Sequence, residues 1–185
     1  MKKNKIFFFL IFLIYPFFSY SHVNHYGKFK VIEMDVLRNG KKIGYNKYLF
    51  KNQNNLLIVK NEINFVTKLI GINLLDVNGS STETYKNGKL IKFKSDTIQN
   101  KKKKYNELML NEDKKTFKIK GSSFNGNVPS TTLVGNWWNH SNLQSGMIIS
   151  PLSGSLKFQE VHFLSKEILR INSDNYNTSK FKIVM

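Results

Sequence analysis

Few residues in this chain are able to do chemistry, and their spacing sets the first constraint. There are four histidines, His22, His25, His140 and His162, and no cysteine. The missing thiols remove cysteine nucleophiles and thiolate metal sites. His22 and His25 stand as H-x-x-H near the N-terminus. A cut after Ser21 would give His22 a free α-amine beside its imidazole, a chelating pair for copper or nickel. The competing and preferred reading is a polar N-terminal segment with no metal. His162, in "FQEVHFL", alternates with Phe158, Glu160 and Leu164 and has no close spacing to His140. A Ser-His-acid site could draw on Ser122, Ser123, His140 and Glu83, but no G-x-S-x-G elbow accompanies them. Glu33 and Asp35 share one face of a strand at i, i+2 and are expected to pair with lysines across strands. Phosphate loops, dinucleotide-binding glycine patterns and zinc spacings are absent, so no cofactor is expected.

The most distinctive stretch is "TTLVGNWWNH", Thr131 to His140, which holds both tryptophans of the chain. In a strand, neighbouring side chains point to opposite faces, so Trp137 and Trp138 would separate, one to the core and one to the rim. In a short helical turn both could plug the open end of a curved sheet. An indole at the rim could also line an apolar cavity, which makes Trp137, Trp138 and Asn139 the candidate ligand contacts. Asn136 and Asn139 suit tight turns, where asparagine side chains bond nearby backbone.

The elements that must carry these residues read as strands and turns. "FKVIEMDVL" (Phe29–Leu37) is rich in β-branched residues, and "KIGYNKYLF" (Lys42–Phe50) follows it after a turn at Asn39-Gly40. Asn-Gly is a strong hairpin signal, because a type I′ turn needs positive φ at both central residues. "LLIVKNEINFV" (Leu56–Val66) follows a polar turn. Asn87-Gly88 marks a second such hairpin ahead of the alternating "LIKFKSD" (Leu90–Asp96), and "EDKK" separates "YNELMLN" from "TFKIK". Helical spacing with caps is not sustained over three turns anywhere. The expected fold is all-β: an antiparallel meander forming a strongly curved sheet or open barrel, with at most one short helical turn near the Trp pair. A strand beginning at Lys180 and ending at Met185 would leave an unpaired edge.

The formal charge is +17, and nearly all of it is lysine; Arg38 and Arg170 are the only arginines. Readers of nucleic acid lean on the planar guanidinium fork, so no nucleic-acid partner is expected. The first residues carry Lys2, Lys3 and Lys5, an apolar block from Ile6 to Tyr15, the helix breaker Pro16, and small residues Ser19 and Ser21. This is the layout of a secretory signal peptide over 1–21, leaving one β domain over 22–185. The apolar run is shorter than the roughly 20 residues of a spanning helix, and retention as an N-terminal anchor is the alternative.

Several stretches resemble an exported proteobacterial family of uncharacterised activity, domain of unknown function 6134. "DVLRNGKKIGYNKYLF" (Asp35–Phe50) is similar to its opening hairpin, and "LIGINLLDVNGSSTETYKNGKL" (Leu69–Leu90) to its second block. "NWWNHSNLQSG" (Asn136–Gly146) resembles its Y-W-N signature, with Trp137 at the tyrosine position, and "PLSGSL" (Pro151–Leu156) the stretch after it. The resemblance implies a periplasmic β domain and no established activity. The family's W-Y-D or W-F-D hairpin near the C-terminus has no counterpart here, which implies a shortened or truncated member. The expected function is that of a non-catalytic envelope protein holding an apolar or amphipathic molecule, such as a lipid, in the concave face of its sheet. A periplasmic hydrolase and a structural partner protein are the alternatives.

Overall fold

The computed structural model describes Tyr26 and residues 28–185. The signal-peptide segment, His22 and His25 lie outside the described residues.

Eight consecutive strands form one antiparallel meander in which each pairs with the next: β1 (Val31–Arg38), β2 (Lys41–Gln53), β3 (Leu56–Leu69), β4 (Ile72–Lys86), β5 (Lys89–Gln99), β6 (Lys102–Asn111), β7 (Thr116–Gly121) and β8 (Asn125–Pro129). β1 and β8 do not pair, so the sheet stays open and is not a closed barrel. The first five connections are two-residue turns with both residues at positive φ, among them Asn39-Gly40 and Asn87-Gly88 as expected. That geometry matches the twist of the flanking strands and keeps the register tight. Bulges between Val36 and Leu37, Thr67 and Lys68, and Thr84 and Tyr85 add further twist.

Period-two alternation gives the sheet an inner and an outer face. On β5, Phe93, Ser95 and Thr97 are buried while Lys92, Lys94 and Asp96 are exposed; on β7, Phe117 and Ile119 are buried between exposed Lys118 and Lys120. The inner face is covered by the chain's own next segment. This comprises β9 (Leu133–Val134), a 3-10 turn η1 (His140–Gln144), β10 (Met147–Ile149) and β11 (Leu156–Phe158). Val134 and Ile149 pack there with Phe93, Leu108, Phe117, Ile119 and Val128. β9 and β10 pair in parallel, a departure from the all-antiparallel expectation. The Trp-bearing loop and η1 carry the chain back between them, and a crossover of this kind allows parallel pairing. Close passage of this segment over β7 needs glycine: a Cβ on Gly121 would meet Ser153 O at 2.5 Å and Gly154 Cα at 3.0 Å.

The last two strands, β12 (Glu160–Ile171) and β13 (Asp174–Val184), form a separate two-stranded hairpin. The sequence places the start of the final strand at Lys180. It starts at Asp174 and is paired to β12 along its whole length, from Asp174↔Ile171 to Val184↔Glu160. The polar run "SDNYNTS" gives no strand signal by itself; cross-strand pairing with β12 makes it one.

Candidate functional site

The centre of the inner face is polar. On β4, alternation sends Glu83 and Tyr85 inward at i and i+2, and Glu83 is fully buried. Its carboxylate oxygens accept from Trp138 Nε1 at 3.0 Å, from Asn136 Nδ2 at 2.8 Å and from the Tyr85 hydroxyl. Burial pushes the Glu83 carboxyl up to about 7, against the three donors, which pull the other way. Tyr85 lies well above the ordinary phenol value, first through burial and then through Glu83. Neighbouring Tyr48 on β2 is pushed up to about 12 by burial, and its hydroxyl accepts from Trp137 N at 3.1 Å and Asn46 Nδ2 at 2.9 Å. Well below pH 7 the network is therefore neutral, an acid and two phenols holding the loop from Asn136 to Trp138.

Trp138 is the plug. It is buried and meets Tyr26, Phe50 and Tyr85 edge-on, with centroids at 5.2, 5.3 and 5.8 Å. Edge-to-face contacts of this kind contribute about 0.5–1.5 kcal/mol each beyond the area they bury. Trp137 points the other way and is 53% exposed. Asn139 caps η1, its side chain accepting from Ser141 N at 3.0 Å. Asn136 does more than hold a turn: it reaches the sheet at Glu83 and also receives Asn142 Nδ2 on its backbone carbonyl at 2.5 Å. Gln159 Nε2 closes the far side of the loop by donating to Asn142 O at 2.6 Å and Ser145 O at 2.8 Å. Ser95 and Asn106 fix the following stretch through Pro151 O at 2.5 Å and Ser150 O at 3.1 Å.

The other candidates fall into separate networks. His140 Nδ1 meets the Tyr26 hydroxyl at 2.6 Å. Ser122 Oγ accepts from Tyr105 N at 3.3 Å, and Ser123 N donates to Ser153 O at 3.0 Å. Both carboxylate oxygens of Glu83 are engaged with Trp138, Asn136 and Tyr85. His162 lies 3.5 Å from Glu160 on β12. Glu33 and Asp35 pair across strands with Lys47 at 3.6 Å and Lys42 at 2.5 Å. Among the described residues, no group of three or more His, Asp or Glu is placed to hold a metal ion, and no helix is long and apolar enough to cross a membrane. Tyr48, Asn46, Tyr85 and Asn61 are the site residues that sequence reasoning passed over. Their signal was present, as polar side chains at positions that alternation assigns to the buried face.

On the inner face, between Asn46, Tyr48, Asn61, Phe93 and Trp137, a cavity of about 30 Å³ is left, room for water. On the outer face of β2–β6 an open trough of about 620 Å³ runs between Tyr45, Ile98 and Tyr105, floored by Glu62, Asn64, Asn78 and Asp96 and edged by Lys103 and Lys104. No curated protein and no solved structure matches the chain. A family model, by contrast, matches residues 34–185, from β1 through the Trp-bearing plug to the final hairpin, and by that match the chain belongs to the family described as Domain of unknown function (DUF6134).

Proposed function

We propose that this is an exported, non-catalytic envelope protein that binds an amphipathic molecule, and that the molecule lies in the outer trough with the Trp loop serving as the structural plug. The contrast in volume carries the reading: on the inner side about 30 Å³ beneath Trp137 and about 250 Å³ between Tyr85, Phe117 and Asn139, against about 620 Å³ in the outer trough. Ligand pockets for small molecules run to several hundred Å³ and combine apolar walls with a few polar groups. Tyr45, Ile98 and Tyr105 supply apolar wall, and Glu62 and Asp96 on the floor with Lys103 and Lys104 at the edge suit a polar headgroup carrying both charges. Export rests on Lys2, Lys3 and Lys5, the apolar block Ile6–Tyr15 and the Ser19-x-Ser21 site; retention of that block as an anchor would keep the domain at the same membrane.

Native mass spectrometry of the protein purified from the cell envelope tests both parts. The expected result is a mature chain starting at or near His22 and carrying an added mass in the lipid range. That mass should fall away in a Tyr45→Ala/Tyr105→Ala double variant and survive in Trp137→Ala. A bare chain in every preparation, or loss of the mass on changing Trp137 alone, would overturn the assignment.

A structural-partner role is the second reading. It is favoured by the β12–β13 hairpin, which leaves Phe163, Leu164, Ile168, Leu169 and Ile171 exposed.

A further inference from the structure

We infer that the tip of the β3–β4 hairpin is a membrane-docking finger that inserts into an anionic lipid surface. The inference goes beyond the trough reading and does not rest on it. β3 and β4 are the two longest strands of the sheet. β2 pairs with β3 only as far as Phe65, and β5 pairs with β4 only from Val77, so residues 66–76 run on past the paired lengths of both neighbours; Asn100 of the β5–β6 turn holds the base through Leu74 O and both backbone groups of Asp76, and residues 67–73 form the tip. Here Leu69, Ile70, Ile72 and Leu74 are exposed, Ile70 by 93%.

The turn itself carries an anomaly. Five two-residue turns join β1 through β6, and four begin with Asn: Asn39, Asn54, Asn87 and Asn100. Asparagine tolerates positive φ well. The fifth begins with Ile70, at φ 49°. A β-branched side chain resists that conformation, and an exposed tip gains no packing in return. An apolar residue that is strained, fully exposed and set at the furthest point of a hairpin is suited to burial in something outside the protein.

Charge identifies that something. The β1–β2 and β5–β6 turns lie at the same end of the sheet as this tip. The first brings Arg38, Lys41 and Lys42, and the second brings Lys101 through Lys104. Lys68 stands on the finger, and the Arg38 guanidinium donates to its carbonyl at 2.8 Å, bracing the base. The acids at this end are Asp35, already paired with Lys42, and Asp76. Apolar side chains at the point with a collar of cations behind them match the interface of a bilayer, where acyl chains lie beneath anionic headgroups. A neutral membrane offers nothing to the collar, and a soluble polyanion offers nothing to the finger.

Sedimentation with phosphatidylcholine vesicles, with and without phosphatidylglycerol, tests this. The full chain is used with its N-terminus unaltered, so the apolar block Ile6–Tyr15 is common to every sample. Expected are stronger pelleting with the anionic vesicles, a loss of about tenfold or more in an Ile70→Asn/Ile72→Asn variant, and about fivefold for each of Lys101→Gln and Lys102→Gln. The tip variant should unfold at the same denaturant concentration as the parent or a higher one, since asparagine accepts positive φ. Equal pelleting of parent and tip variant would overturn the inference. So would equal binding to neutral and anionic vesicles, or a tip variant that loses only self-association.

Discussion

The eight-stranded sheet and the β12–β13 hairpin are built from the same kind of sequence, yet they differ in what they cover. Strands β2 to β7 bury the middle of one face, with Val59, Phe93, Leu108 and Ile119 at 0 or 1% exposure. In the hairpin no residue from Glu160 to Met185 is buried, although Val161, Phe163, Ile183 and Phe181 sit on one face in register and the two phenylalanine rings meet edge-on at 5.7 Å. Strand pairing alone therefore does not make a core. The sheet has one because residues 130–159 fold back onto it and bring a tryptophan, two asparagines, donors to Glu83 and Tyr48, and carbonyls that accept from Ser95 and Asn106. Among the described residues, nothing is folded onto the hairpin. A two-stranded ribbon by itself is marginally stable in water, so its order rests on cross-strand pairs and its attachment to β11.

Removing the plug is expected to have the largest effect. Trp138→Ala empties the space between Tyr26, Phe50 and Tyr85 and leaves a Glu83 oxygen without its donor. The expected loss is about 3–5 kcal/mol, measured as a shift in denaturant midpoint. A loss below about 1 kcal/mol would mean that the loop is an ornament on a sheet that holds without it.

Next comes pH. Glu83 is pushed up to about 7 in the fold from an ordinary value of 4.5. Between those values the folded chain holds a proton that the unfolded chain has released. Its stabilising contribution is complete below pH 4.5, is lost as pH rises toward 7 and stays flat beyond. The full span is worth about 3 kcal/mol. Stability of the parent should fall over this window, and that of Glu83→Gln should not. The hairpin buries no carboxyl, so the fall due to Glu83 should appear in amide exchange of the sheet and not of β12 and β13.

The smallest effect belongs to the hairpin surface. Ile168 is 69% exposed. Ile168→Asn should change global stability by less than about 0.5 kcal/mol, and hairpin amides should exchange by local opening while those of β3 and β4 wait for global unfolding. Equal protection in both regions would erase the contrast.

The meander was legible because its signals are local. Asn39-Gly40 and Asn87-Gly88 demand positive φ, and stretches such as Leu90–Asp96 alternate over a single strand. The β3–β4 turn was not legible, because Ile70 is not a turn residue and its conformation opposes its side chain. The β13 start was hidden for a related reason: the polar residues after Asn172 become a strand only through their partners on β12. Trp137 and Trp138 lie in a bend, in neither the strand nor the helical turn that the sequence allowed, and there Trp138 goes inside and Trp137 out. The acid behind Trp138 did not follow from the sequence. Glu83 reads equally well as a surface residue or a catalytic one until the fold brings Asn136 and Trp138 across from a segment 53 and 55 residues away.

The Tyr26, Phe50 and Tyr85 end of the inner face is filled by the chain's own Trp138. The direct measurement is tryptophan emission and acrylamide quenching in a Trp137→Phe variant, where Trp138 is the sole reporter. The expected result is blue-shifted emission that acrylamide barely quenches, and red-shifted, readily quenched emission in the reciprocal Trp138→Phe variant. Red-shifted, readily quenched emission from Trp138 would contradict it, because the inner face would then be open to solvent.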